Sequence, residues 1–148
     1  MKILVPTDGS KAALQAFQRA SEIATTYAGS TITLLAVTPV PLLEMLNQRP
    51  ALLGGEVMTS PVRKQLEDQI NHWLDAAIDS QPDLAVPVDT IKALGHPGGV
   101  ISDTAADGHY DVVVVGDSED GPLRRLLKGS TSDYVVHHSA CDVLVVKA

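Results

Sequence analysis

Five short apolar runs punctuate the chain, at Ile3–Val5, Ile32–Val37, Val86–Ala93, Val112–Val115 and Val143–Val146. The first, fourth and fifth are nearly unbroken aliphatic stretches. That pattern predicts strands covered on both faces, as in a parallel sheet. The third alternates Val86, Val88 and Thr90 with Pro87, Asp89 and Ile91. Its proline predicts a more exposed edge strand. Between the runs the hydrophobic period lengthens to that of a helix. Residues 11–28 place Leu14, Phe17, Ala20, Ile23 and Ala24 on one stripe, with Ser10 as N-cap and Gly29 as the residue after the C-cap. Residues 61–80 place Leu66, Ile70, Trp73, Leu74, Ala77 and Ile78 on another, and Ser60-Pro61 signals its start. A shorter helix should follow Pro97, using Val100, Ile101 and Ala105. A fourth should run from about Ser130 to Ser139, using Val135 and His138.

The order is strand, helix, strand, repeated until a fifth strand closes the chain. Such alternation yields a parallel sheet with right-handed crossovers and helices on both faces. Residues 1–148 read as one domain without internal repeats. One connection is long, residues 38–60, and Leu42, Leu43, Met45, Leu46, Leu52 and Leu53 make it too apolar for a solvated linker. It reads equally as a lid or partner-binding flap and as an insertion that only covers core.

Composition narrows the function classes. The 148 residues are 45% hydrophobic and carry a formal net charge of −7. No basic stripe offsets that charge, so nucleic acid is not an expected partner. A lone cysteine, Cys141, leaves no internal disulfide framework, which fits a reducing cytoplasm. The opening MKILVPTDGS breaks at Pro6, too early for a signal peptide, and no apolar run reaches the length of a membrane span. A soluble cytoplasmic protein with no membrane partner is expected.

In an open α/β sheet, ligands gather at the carboxyl ends of the strands. Pro6-Thr7-Asp8-Gly9-Ser10, Val37-Thr38 and the stretch GDSEDGPLRRLLKGSTS from Gly116 to Ser132 should meet there. Gly129, Ser130, Thr131 and Ser132 open the last helix with backbone and hydroxyl donors, an arrangement that attracts anions. Two plainer readings compete. Ser130 and Asp133 form an acceptable capping box that satisfies the helix by itself, and Asp8 suits a turn that bonds its own backbone. No Walker-type loop or dinucleotide fingerprint is present. His137, His138 and Cys141 lie close in sequence, but neighbouring helical histidines diverge, so a structural role outweighs a metal site. His96 sits in a loop near the expected site. No motif ties a nucleophile to a base and an acid.

The opening ILVPTDGS, the Gly95-His96-Pro97 stretch with Ile101 and Ala105, the strand YDVVVVG and the close KGSTSDYVVHHSACDVLVV, with the spacing of the five strands, resemble the universal stress protein family over nearly the whole chain. The resemblance implies a Rossmann-like five-stranded parallel sheet of order 3-2-1-4-5 and a homodimer joined through the last strand. It also implies a role in stress response as a sensor or dimeric regulator. Members that bind ATP carry G-x2-G-x9-G-[S/T]. Here Gly116 fits the first position and Gly129-Ser130 the third, while Glu119 takes the place of the middle glycine. By the same resemblance Asp8 and Val37 match the adenine side. Pro6, Thr7, Val115, Ser130, Thr131 and Ser132 fall where the nucleotide is lined.

Glu119 brings bulk and charge, so weakened triphosphate affinity is expected, with ATP or AMP as the ligand. Residues 117–128 hold three acids (Asp117, Glu119, Asp120) and three bases (Arg124, Arg125, Lys128). The bases could pair with the acids or reach the phosphates. Alternatively a Mg²⁺ arriving with the nucleotide could use Asp117 or Asp120. The competing function is a nucleotide-free dimeric scaffold for protein interaction.

Overall fold

The computed structural model describes residues 1–39, 61–117 and 131–147. Five strands, β1 (Lys2–Pro6), β2 (Thr31–Pro39), β3 (Val88–Gly95), β4 (Val112–Asp117) and β5 (Asp142–Lys147), form one parallel sheet in the order β3-β2-β1-β4-β5. The described helices are α1 (Lys11–Thr26), α2 (Pro61–Asp79), α3 (Pro97–Asp107) and α4 (Thr131–His138). The fold class and strand order match expectation.

Side-chain alternation along the strands builds two apolar layers. Ile3, Val5, Ile32, Leu34, Ala36 and Val114 pack against Phe17, Ala20 and Ala24 of α1 and Ile70, Leu74 and Ala77 of α2. Leu4, Leu35, Val37 and Val113 pack on the other side against Ile101 and Ala105 of α3 and Val135 of α4. Each large side chain buried this way contributes about 1.5–3 kcal/mol. With few aromatics in the chain, aliphatic side chains carry most of the core.

Several boundaries move, each for a local reason. β3 begins at Val88 instead of Val86, because Pro87 has no N–H for the ladder; its carbonyl accepts from the Ile32 N–H at 3.0 Å. It lies at the sheet edge, as its proline suggested. β5 occupies the opposite edge. Its aliphatic run is therefore part-buried along its length and not covered on both faces, which corrects the reading of that run. α1 stops at Thr26, and Gly29 lies two positions beyond the cap residue Tyr27. The left-handed φ of +77° at Gly29 turns the chain so that Ser30 donates to the Tyr27 carbonyl through both its N–H and its hydroxyl, at 3.2 and 2.7 Å. Of the long 38–60 connection, Thr38 ends within β2 and residues 40–60 lie outside the described residues.

Candidate functional site

β1 delivers the chain to a tight turn at the carboxyl edge. Thr7 is buried, and its N–H extends the ladder by donating to the Leu35 carbonyl at 2.9 Å. Asp8 Oδ1 accepts from the Ser10 N–H at 3.0 Å, and Thr7 Oγ1 accepts from the Gly9 N–H at 3.4 Å. Asp8 thus makes the self-bonded turn that its residue type suggested. Gly9 has φ +73°, and a Cβ there would stand 2.5 Å from Cδ1 of Trp73. The indole of α2 therefore packs directly on the turn. Ser10 caps α1, its Oγ accepting from the Ala13 N–H at 3.2 Å.

Val37, at the end of neighbouring β2, is 4% exposed and belongs to the second apolar layer. Val115 is equally buried near the end of β4. Gly116 and Asp117 are the last residues of that strand and do not belong to the loop beyond it. A Cβ on Gly116 would run into the carbonyl of Ala12 and stand 2.9 Å from the Ala13 nitrogen. The first turn of α1 rests on Gly116, so the glycine has a packing reason independent of any ligand.

α4 opens with Thr131 and Ser132. Ser132 is buried, and its hydroxyl donates to Asp117 Oδ1 at 3.3 Å. Lys147 Nζ donates to Asp117 Oδ2 at 2.7 Å; the two are register partners on β4 and β5. The Lys147 side chain is 80% exposed and that of Asp117 26%, so solvent screens the pair and it orients Asp117 more than it stabilises the fold. Asp117 thus has one oxygen toward a hydroxyl and the other toward an ammonium.

Pro6, Thr7, Asp8, Val37, Val115, Gly116, Thr131 and Ser132 therefore converge at the carboxyl edge of β2, β1 and β4. Gly129 and Ser130 lie outside the described residues, as do Glu119, Asp120, Arg124, Arg125 and Lys128. Among the described residues Lys147 stands beside Asp117, a cation that the local count of charges in residues 117–128 did not include. Only the β4–β5 register brings it there. Trp73 was also missed as a neighbour of the turn, since its helical stripe marked it as core.

The histidines have other duties. His96 is the N-cap of α3, its Nδ1 accepting from the Gly99 N–H at 3.4 Å. His138 Nδ1 donates to the Tyr134 carbonyl at 2.9 Å, and its ring stacks on Tyr134 with centroids 4.0 Å apart. Cys141 Sγ lies 3.5 Å from Ser139 Oγ. Among the described residues no cluster of three or more His, Cys, Asp or Glu side chains could hold a metal. An open groove of about 570 Å³ lies between the last turns of α1 and the turn into β3, lined by Gln18, Glu22, Thr25, Ser80, Gln81 and Asp83. It sits at the amino end of the sheet, the pole opposite the converging residues. Among the described residues no helix is long and apolar enough to cross a membrane.

The sequence model of the Universal stress protein family matches residues 1–147. Universal stress protein Sll1388 of Synechocystis sp. is 28% identical, with 99% of this chain and 97% of the relative covered. A solved universal stress protein in complex with cAMP superimposes with a TM-score of 0.72 at 22% identity, covering 99% of this chain and 96% of the other. An Arabidopsis thaliana family member with AMP bound does so with a TM-score of 0.65 at 20% identity, covering 99% and 91%.

Proposed function

The chain belongs to the universal stress protein family, and from that premise we propose that it binds an adenine nucleotide at the carboxyl edge of its sheet. It would act in the cytoplasm as a ligand-responsive dimeric regulator in stress response. The observation that carries this reading is the convergence of the Asp8 turn, Val37, Gly116 and the start of α4 at one pole. Structures of this fold hold cAMP in one relative and AMP in another. In the proposed site Asp8 and Val37 flank the base. Pro6, Thr7, Val115 and Gly116 line the nucleotide, and Thr131 and Ser132 face the phosphate, with Gly129 and Ser130 assigned there by family resemblance alone. The helix start offers backbone N–H groups and the positive end of its dipole to that phosphate.

Calorimetric titration of the purified chain with adenosine, AMP, cAMP and ATP tests the proposal, with and without Mg²⁺. The expected result is saturable binding of at least one phosphorylated ligand. No heat of binding at millimolar ligand would end the idea.

A second reading has its own support. Asp8 is engaged in its own turn, Gly116 is required by Ala12, and Ser132 is engaged with Asp117. Each feature is satisfied within the protein, as a nucleotide-free scaffold requires. Mass spectrometry of small molecules released from the purified protein separates the two readings, since a co-purified adenine nucleotide counts against the scaffold.

A further inference from the structure

We propose that Trp73 is a positioning residue for the base end of the proposed site: its indole, packed on Gly9, holds the Asp8 turn in the shape a ligand needs before the ligand arrives. The inference rests on the nucleotide reading above and deepens it.

Gly9 is the one residue of the turn without a side chain, and its φ of +73° lies in a region that glycine enters and leaves freely. Hydrogen bonds hold it only in part. Its own N–H reaches Thr7 Oγ1 at 3.4 Å, a long contact, and the Ser10 N–H reaches Asp8 Oδ1 at 3.0 Å. Bonds of this kind compete with bonds to water, so they restrain a turn modestly. The packing that a side chain at position 9 would supply comes instead from α2. A Cβ on Gly9 would lie 2.5 Å from Cδ1, 3.1 Å from Nε1 and 3.3 Å from Cγ of Trp73, so the indole occupies that space. The ring is itself anchored, because Trp73 is part-buried against the apolar layer that includes Ile70 and Leu74 of the same helix. The turn cannot move toward α2 without displacing a packed indole. Asp8 directly precedes Gly9, so the direction of its carboxylate follows the backbone that Trp73 holds. A ligand that uses Asp8 then meets a group already ordered, and less conformational freedom is lost on binding.

Trp73→Ala removes the indole, and Trp73→Val, which keeps more apolar bulk, replaces it if the alanine variant does not fold. Trp73→Phe keeps a ring against Gly9. Asp8→Asn keeps an acceptor for the Ser10 N–H and removes the charge. The native chain, these variants and the double variant truncated at Trp73 and carrying Asp8→Asn are titrated with AMP and ATP. Truncation should weaken AMP binding about tenfold in the native background and about twofold in Asp8→Asn, while Trp73→Phe stays within about threefold of native. A residue that only supports the core would weaken binding equally in both backgrounds. A second cycle needs no ligand. Gly9→Ala should lower the unfolding midpoint of the native chain more than that of the truncated variant, because part of its strain is the clash with the indole.

An equal loss of affinity in both backgrounds, or none in either, overturns the role of Trp73 and leaves the nucleotide reading intact. So does a Gly9→Ala penalty that is the same with and without the indole. Tighter AMP binding after truncation overturns it as well, since the indole would then be an obstacle. A native chain that binds neither AMP nor ATP ends the nucleotide reading and this role with it.

Discussion

At Gly116 two requirements meet on one residue. The family motif asks for a glycine there, and so does the packing of α1. A methyl at this position would strike the Ala12 carbonyl and press on the Ala13 nitrogen, both of them helix backbone with no side-chain end to swing aside. Relief would need a shift of the first turn of α1 or the end of β4. Overpacking of this kind costs about 1–3 kcal/mol. Gly116→Ala should therefore lose that much stability in urea unfolding without any ligand present. An unchanged midpoint would mean that the helix yields easily and that the glycine is needed for the ligand alone. Asp8 is the contrasting case. It faces the candidate site, yet its Oδ1 is committed to the Ser10 N–H, so both its readings draw on the same carboxylate.

On the scale of elements, α1 links the turn to the core. Its first turn holds no acidic residue, so the Ser10 hydroxyl is the side-chain group satisfying the Ala13 N–H. Ser10→Ala should cost about 1 kcal/mol, measured by thermal or denaturant unfolding, and Ser10→Asp should restore most of it. A loss of only a few tenths would mean that water replaces the cap. That cap was legible in the sequence, as were all five strands, because aliphatic runs and helical stripes are local patterns. Element ends were less legible. β3 starts two residues later than its apolar run because Pro87 cannot donate, and it continues to Gly95 because β2 runs on to Pro39 beside it. The half-exposure of β5 was hidden for a similar reason, since an aliphatic run looks the same at an edge as in the middle of a sheet. The convergence of Thr7, Asp8, Val37 and Gly116 at one pole was legible because strand ends mark the ligand pole of this fold class. The Asp117–Lys147 pair was not, because it joins residues thirty positions apart through strand register.

For the whole molecule, the exposed edge of β5 poses a problem of association. Among the described residues β4 is the one strand paired with β5, and Leu144 and Val146 cover one core layer while Val143 covers the other. Val145 is left part-exposed, and on α4 Val136 is 48% exposed. An apolar edge strand invites pairing with a second copy, and a two-fold axis through β5 would pair each edge with itself. The formal charge of −7 on each copy opposes association, so apolar contact must outweigh it, and salt should favour the dimer by screening. We therefore expect a homodimer in sedimentation velocity at micromolar concentration and about 0.15 M salt. Val145→Lys, a charge on the edge itself, and Val136→Glu, on the flank of α4, should each shift it toward monomer while leaving thermal unfolding of the fold nearly unchanged. A native chain that sediments as a monomer would refute the interface. A dimer indifferent to both substitutions would place the contact on another face. The register that puts Lys147 beside Asp117 also puts the end of this edge next to the candidate site, so the same runs should be repeated with saturating AMP. If β5 links the two, the ligand should change the dimerisation constant, and by linkage dimerisation should change ligand affinity by the same factor.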